Sequence, residues 1–447
     1  MKKASVFSLG ITLVTDTGWG DAGKGKITDE IAAILPKGSV VIRYNGGPNA
    51  GHTVRNKLGE FKLHGVSSGI FNPDVVCLTT GGVLVNPLSL VEEIALVQKA
   101  GVKITPENFL LSEDSHMIMP WHKLRDNLSE KARGGSKIGT TGQGIGPTYS
   151  DRTARVGLRL GDLIRPNFKE LLKRELAFQE RLIRLMDGES LASEGKTIVQ
   201  KTPYLDEAQI LTDFDKAKKV LAPFITNTLV VIWEAKKKKK TMLAEGAQGA
   251  LLDLALGGYP YVTSSHPGVP GFSATSGIHL IDRVIGVAKA YTTRVGEGPM
   301  PTELFDETGK HMQNVGHEFG ATTGRPRRCG WFDVPAMQYG AKIAGVTEIA
   351  LTKLDILDGL KEVKICTGYT MHGKEVTELT GFAPEDVEKA KPIYETLTGW
   401  KEPISDITEF ETLPKNAQKY VKRLEKLLGF PITIVSVSPD RDKTIYR

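Results

Sequence analysis

Gly18, Gly23 and Lys24 stand at the spacing G-x-x-x-x-G-K inside residues 16–26, DTGWGDAGKGK. That pattern suits a phosphate group. Bare glycine backbone lets several N–H groups converge on the oxygens, and the lysine adds a point charge. The eighth place of such a loop is normally Ser or Thr, a magnesium ligand, but here it is Gly25. A metal at this loop needs another protein ligand, and Asp21, within the loop, is the nearest carboxylate.

Other stretches carry chemistry of the same kind. Residues 44–54, YNGGPNAGHTV, form a stiff polar loop able to present Asn49 and His52 beside the first one. Residues 139–152, GTTGQGIGPTYSDR, set Thr140 and Thr141 among glycines, which suits phosphate oxygens. A loop of that length in a compact domain is usually functional. Gln248 sits in EGAQG, and Thr263 in YVTSS supplies one of three hydroxyls in a row. Residues 318–333 bring Thr322 and Thr323 close to Arg325, Arg327 and Arg328, a composition fit for carboxylate or phosphate recognition by guanidinium forks. Lys353 and Asp355 form a Lys-x-Asp pair. Such a pair can read guanine: the carboxylate accepts from N1 and the 2-amino group, and the lysine stem covers the ring.

These residues need elements to hold them. An apolar run at 6–14 leads into the first loop, and Ile27, Ile31, Ile34 and Leu35 follow at helical spacing, so strand, loop and helix are expected in that order. Further strands are expected at 39–43, 75–79, 241–244, 348–352 and 432–435, with a hairpin about Leu58-Gly59-Glu60. A helix starts at Pro87, capped by Asn86 and ended near Gly101. Another spans 415–428. Strands alternating with helices predict an α/β fold with a large, mostly parallel central sheet. Residues 161–225 read as a charged helical subdomain between a phosphate-loop part, 1–160, and the remaining sheet and loops, 226–447. The five lysines at 236–240 read as a solvated loop between two strands.

The 447 residues, 40% hydrophobic and 25% charged, describe an ordinary globular chain large enough for subdomains around one sheet. A net charge of +6 is too thin at this length to suggest nucleic acid. Three dispersed cysteines without metal-ligand spacing point to a reducing cytoplasm. The apolar N-terminal run meets Asp16 rather than a cleavage site, so it reads as a strand and not a signal peptide. No window approaches the length of a membrane span.

Taken in order, GWGDAGKGK, NGGPNAGHTV, GTTGQGIGPTYSDR, EGAQGALLD with YPYVTSS, YTTRVGEGPMPTEL, GATTGRPRRCGWFD, LTKLDILDGL and SPDR resemble the adenylosuccinate synthetase family from about Thr17 to Arg441. The resemblance implies a GTP-dependent ligase that joins L-aspartate to IMP through a 6-phosphoryl intermediate, on the way to AMP. Asp21 would be the base at N1 of IMP and, with the Gly51 carbonyl, the Mg2+ ligand. His52, Lys24 and Gln248 would complete the catalytic set. Gly20, Gly23, Gly25 and Thr53 would join them around the GTP phosphates, and Lys353, Asp355, Ser436 and Ser438 around its base. Asn49, Thr141, Arg155, Gln248, Thr263 and Arg325 match IMP-binding positions, with Arg155 reaching the neighbouring subunit of a homodimer. Thr322, Thr323, Arg325 and Arg327 match the loop that takes aspartate. The implied partners are these small molecules and a second copy of the chain, with no nucleic acid and no membrane.

Several positions depart from the family pattern. Ala22 stands for a glutamate, Gly18 for a glutamine and Ser438 for a glycine. Ala255, Leu256 and Gly258 lie in a segment where the family shows Ile-Asp-His-Gly-Thr, and His266-Pro267 is also atypical. A related ligase acting on a 2-aminopurine nucleotide such as dGMP is the alternative within enzymes, although relatives of that kind tend to lose the loop aspartate that Asp21 represents. A GTP-binding regulatory switch is the alternative of another class, but it would not need the histidine, threonine and arginine loops.

Overall fold

Residues 11–16 are buried at every position, as a strand covered on both faces must be. Leu13 joins one apolar core with Ile42, Ala244 and Phe272. Val14 points the other way and joins a second core with Ile27, Val41 and Leu243. The computed structural model describes residues 10–188, 204–320 and 324–447, apart from the side chain of Ser136. Residues 6–9 of the expected first strand, the stretch 189–203 of the helical segment, and both Thr322 and Thr323 therefore lie outside the described residues.

Ile11–Asp16 is a central strand of a 10-stranded sheet. Across the sheet the order is Thr444–Tyr446, Ile432–Ser436, Glu348–Thr352, Arg283–Lys289, Ile11–Asp16, Met242–Glu245, Val40–Arg43, Val76–Thr79, Phe109–Ser112 and Ile225–Thr226. Every neighbouring pair is parallel except the first, where Thr444–Tyr446 runs antiparallel to Ile432–Ser436. The expected α/β class is what the chain forms. His52–Asn56 and Gly59–Leu63 make the expected hairpin outside this sheet.

The helices follow their end signals. Pro87–Lys99 starts where the Asn86 side chain accepts from the backbone N–H of Leu88 and Ser89. Phe168–Met186 and Glu207–Leu221 account for the charged helical stretch. The lysine run corrects the expectation of a loop between strands. Thr228–Lys237 is a helix, so residues 236–240 lie at and just past a helix C-terminus. Its β-branched run imitates a strand, yet Thr228, Ile232 and Ala235 are the buried positions, a helical spacing, and Asn227 caps the start. Lysines in the last turn are favourable beside the negative end of the helix dipole. Among the described residues, no helix is long and apolar enough to cross a membrane.

Candidate active site

Parallel strands deliver their C-terminal ends to one edge of the sheet, where ligand loops of α/β proteins gather. Asp16, Arg43, Glu245, Lys289, Thr352 and Ser436 each end a strand there. The loops that follow are the ones singled out by residue type.

The first loop turns on itself around Asp16. Its buried carboxylate accepts from the backbone N–H of Gly18 at 2.8 Å, of Gly20 at 3.3 Å and of Ala22 at 3.0 Å, and pairs with Lys24 Nζ at 3.2 Å. Asp16 was not among the residues picked out by motif. Its signal was an acid ending an apolar strand just before the glycines. Gly23, with φ +92°, then opens the helix Lys24–Ala32, whose first N–H groups have no intrahelical partner.

The missing Ser or Thr at position 25 has a steric reason. A Cβ on Gly25 would lie 2.9 Å from His52 Cβ, because the hairpin packs His52 against the helix N-terminus. His52 is buried and bonds Glu245 Oε1 through Nδ1 at 2.5 Å, while Nε2 is buried without a partner. Ser67 Oγ and the Ser68 N–H also donate to Glu245. Burial depresses the His52 pKa despite Glu245, which favours the neutral ring donating from Nδ1. Burial alone would raise the Glu245 pKa, but His52, Arg43 and Ser67 hold it down at about 2.

Asp21 adopts the left-handed conformation, φ +59°, and turns its side chain, 35% exposed, to the outside of the loop. Arg327 grips it, Nε lying 2.9 Å from Oδ2. Burial opposes its charge, yet Arg327, Lys289 and Lys24 together hold its carboxyl below the ordinary value.

Gln248, also left-handed, lies behind this loop, where Gly20 faces its backbone. Its amide donates to Asn49 Oδ1 at 3.3 Å and accepts from Asn45 Nδ2 at 3.4 Å. Thr263 is held by its N–H to Leu252 O, and Ser265, two residues on, accepts from Asn45. Thr141 and Arg325 line one cleft of about 760 Å³ with Asn127, Glu130 and Glu297. Arg325 donates to the carbonyls of Gly139 and Thr140, so the threonine and arginine loops touch. None of these contacts includes Arg155, exposed at the end of the helix Ile145–Ala154, or Thr53, exposed on its hairpin strand beside His52.

At the far side, Lys353 Nζ donates to Gly316 O at 2.7 Å and to Glu318 Oε1 at 2.6 Å. Asp355 Oδ1 is buried without a partner, and burial raises its pKa. Lys26, the second lysine of GKGK, was missed as a residue that ties two loops of the site together. Its Nζ bonds Ser436 Oγ at 2.5 Å and Ser438 O at 2.6 Å, clasping the last sheet loop to the first helix. Glu318 and Lys289 were also missed, being single charges in otherwise familiar segments.

Mg2+ asks for oxygen ligands and, beside a nucleotide, only one or two carboxylates plus phosphate oxygens. Among the described residues no group of three or more His, Cys, Asp or Glu side chains could hold a metal. The half-exposed carboxylate of Asp21 at the phosphate loop fits the sparser demand of a nucleotide-bound ion.

Fold and loops together define an α/β protein whose glycine-rich polar loops gather along the strand ends. A family model described as adenylosuccinate synthetase matches residues 13–445. The adenylosuccinate synthetase of Caldanaerobacter subterraneus subsp. tengcongensis is 44% identical over 440 residues, covering 98% of this chain and 99% of the relative. That of a Thermoanaerobacter species is 45% identical over 439 residues, covering 97% and 98%. The solved structure of fully ligated adenylosuccinate synthetase from Plasmodium falciparum superposes with a TM-score of 0.89 at 35% identity, covering 98% of this chain and 100% of that one. A cyanophage succinoaminodeoxyadenylate synthetase bound to dGMP and dATP shares the fold, with a TM-score of 0.60, 16% identity and coverage of 98% and 95%. The chain belongs to the adenylosuccinate synthetase family.

Proposed function

We propose that this chain joins L-aspartate to IMP at the expense of GTP, giving adenylosuccinate, GDP and phosphate for AMP synthesis, and that the strand-end cluster carries the reaction. The observation that carries the reading is the contact between Asp21 and Arg327. It brings a candidate base into the same few ångströms as a guanidinium fit for a dicarboxylate substrate.

An oxide is a poor leaving group at C6 of a purine, so the oxygen must first be made into a phosphate. Asp21 takes the proton from N1 of IMP. The 6-oxygen then attacks the γ-phosphorus, and the bond to the bridging oxygen breaks to release GDP. The amine of aspartate next adds at C6, the C6–O bond breaks with phosphate as the leaving group, and the proton shed by the amine leaves with that phosphate. His52, buried against the helix N-terminus, faces the charge that develops on the γ-phosphoryl group, and Lys24 and the free N–H groups of the loop serve the same end. For Lys24 this means exchanging Asp16 for a phosphate oxygen. Asp21 and the carbonyl of Gly51 would hold Mg2+, which supplies charge neutralisation between the terminal phosphates.

Asn49, Gln248, Thr141, Thr263 and Arg325 are assigned to IMP, and Arg325 and Arg327, with Thr322 and Thr323, to aspartate. Gly20, Gly23, Gly25 and Thr53 are assigned to the GTP phosphates, with Lys353, Asp355, Ser436 and Ser438 around the base. The exposed position of Arg155 supports a reach into a neighbouring copy, hence a homodimer, and a cytoplasmic setting accords with three buried free cysteines. Purified chain supplied with GTP, Mg2+, IMP and aspartate should yield adenylosuccinate, read by ultraviolet absorbance, with IMP preferred over dGMP and GMP run in parallel. GTP turnover that needs neither co-substrate would favour a regulatory switch instead.

A further inference from the structure

Glu318 has no exposed surface, and its carboxylate accepts from four side chains. Oε1 takes Lys353 Nζ at 2.6 Å and the hydroxyl of Tyr291. Oε2 takes Lys289 Nζ at 2.8 Å and Arg327 Nη1 at 2.6 Å. Three cations around one carboxylate leave two positive charges over, and Asp21, on the other side of Arg327, offsets one of them.

The backbone repeats the connection. The Arg327 N–H donates to Glu318 O at 2.8 Å, and a β-bridge joins Phe319 to Pro326. Glu318 and Arg327 are thus the two feet of the arginine loop. Lys353, left-handed at φ +58°, follows the strand Glu348–Thr352 and stretches to Glu318 and Gly316 O.

We propose that Glu318 is a positioning residue that couples the base subsite at Lys353 to the dicarboxylate subsite at Arg327. The inference rests on the roles assigned above. One oxygen of Glu318 holds the lysine tip until a purine base draws the stem over its ring. The other fixes one side of the Arg327 fork, leaving the opposite side to exchange Asp21 for a substrate carboxylate. A base that displaces Lys353 removes a cation from Glu318 and strengthens its pull on Arg327, which loosens Arg327 from Asp21. The two subsites are then linked, and linkage in binding is reciprocal.

The test is a calorimetric titration of the full chain with L-aspartate at saturating IMP and Mg2+, with and without GDP, a set with no γ-phosphate to transfer. GDP should tighten aspartate binding by about fivefold or more. In Glu318→Gln that ratio should fall to about one, with IMP affinity unchanged. A merely structural role would weaken every ligand together and leave the ratio intact, so a folded Glu318→Gln chain with the wild-type ratio overturns the proposal. Should that variant not fold, Tyr291→Phe removes a single hydrogen bond from Oε1 and keeps the ring. It should move the ratio by about twofold or more, and an unmoved ratio overturns the proposal. Wild-type chain that makes adenylosuccinate yet shows no effect of GDP sinks this coupling alone, whereas chain that makes none sinks the reading beneath it.

Discussion

The first loop has two faces, and each carries one aspartate. On the inner face Asp16 is buried and saturated by three N–H groups and a lysine. On the outer face Asp21 is partly exposed and held by one arginine. The residue type is the same and the loop is the same, but the inner carboxylate builds the turn while the outer one remains available for chemistry. A carboxylate that ends a strand and meets converging N–H groups behaves like a built-in anion. One that leaves the loop on a strained left-handed residue, with a single exchangeable partner, has the surroundings of a reactive group.

Substitutions should separate the two faces. Asp21→Asn should cost about a thousandfold or more in adenylosuccinate formation, with the urea midpoint nearly unchanged. A near-normal rate would place the chemistry elsewhere. Asp16→Ala should act on the fold, lowering unfolding free energy by about 3–5 kcal/mol in urea titration, because Lys24 and the loop N–H groups lose their buried partner. An unchanged midpoint would mean that the inner face is not what shapes the turn. Gly25→Ser restores the usual phosphate-loop residue, yet its Cβ would crowd His52. A loss of about 1–3 kcal/mol and of activity is expected, and a gain in either would show that the hydroxyl was the missing part.

The smallest effect concerns pH. The Asp21 pKa in the folded chain lies below the ordinary 3.8. Its pairing therefore contributes stability that is complete above that value and is lost as pH falls through the folded pKa. Arg327→Leu should raise that folded pKa, moving the acid limb of the stability profile to higher pH. An acid limb that stays in place would assign the depression to Lys289 and Lys24.

Much of this arrangement is legible from sequence because strand ends, glycine loops and helix starts are local signals. Glu348–Thr352 and Lys415–Leu428 fall where their patterns place them. The lysine run misled because Val230, Val231 and Ile232 have strand propensity, and only packing reveals that one in three or four of those residues is buried. Within the site, Asp21, His52 and Lys24 announce themselves by motif. Lys26, Glu318 and Lys289 do not, since their importance lies in partners distant along the chain, whereas Asp16 bonds within its own loop but belongs to no recognised place of the motif. Lys26 reaches Ser436, and Glu318 reaches Lys289 and Lys353. The absent hydroxyl at position 25 reads as a defect until the hairpin is seen to fill its space.

One consequence follows from Gly249. A Cβ there would fall 2.3 Å from both Gly18 O and Gly20 N, so two ribbons of bare main chain lie back to back with no cushion between them. Any shift of the first ribbon passes directly to Gln248 and, through its amide, to Asn49. The two proposed nucleotide sites would then be geared together at that seam, and a single methyl group at position 249 would part the ribbons.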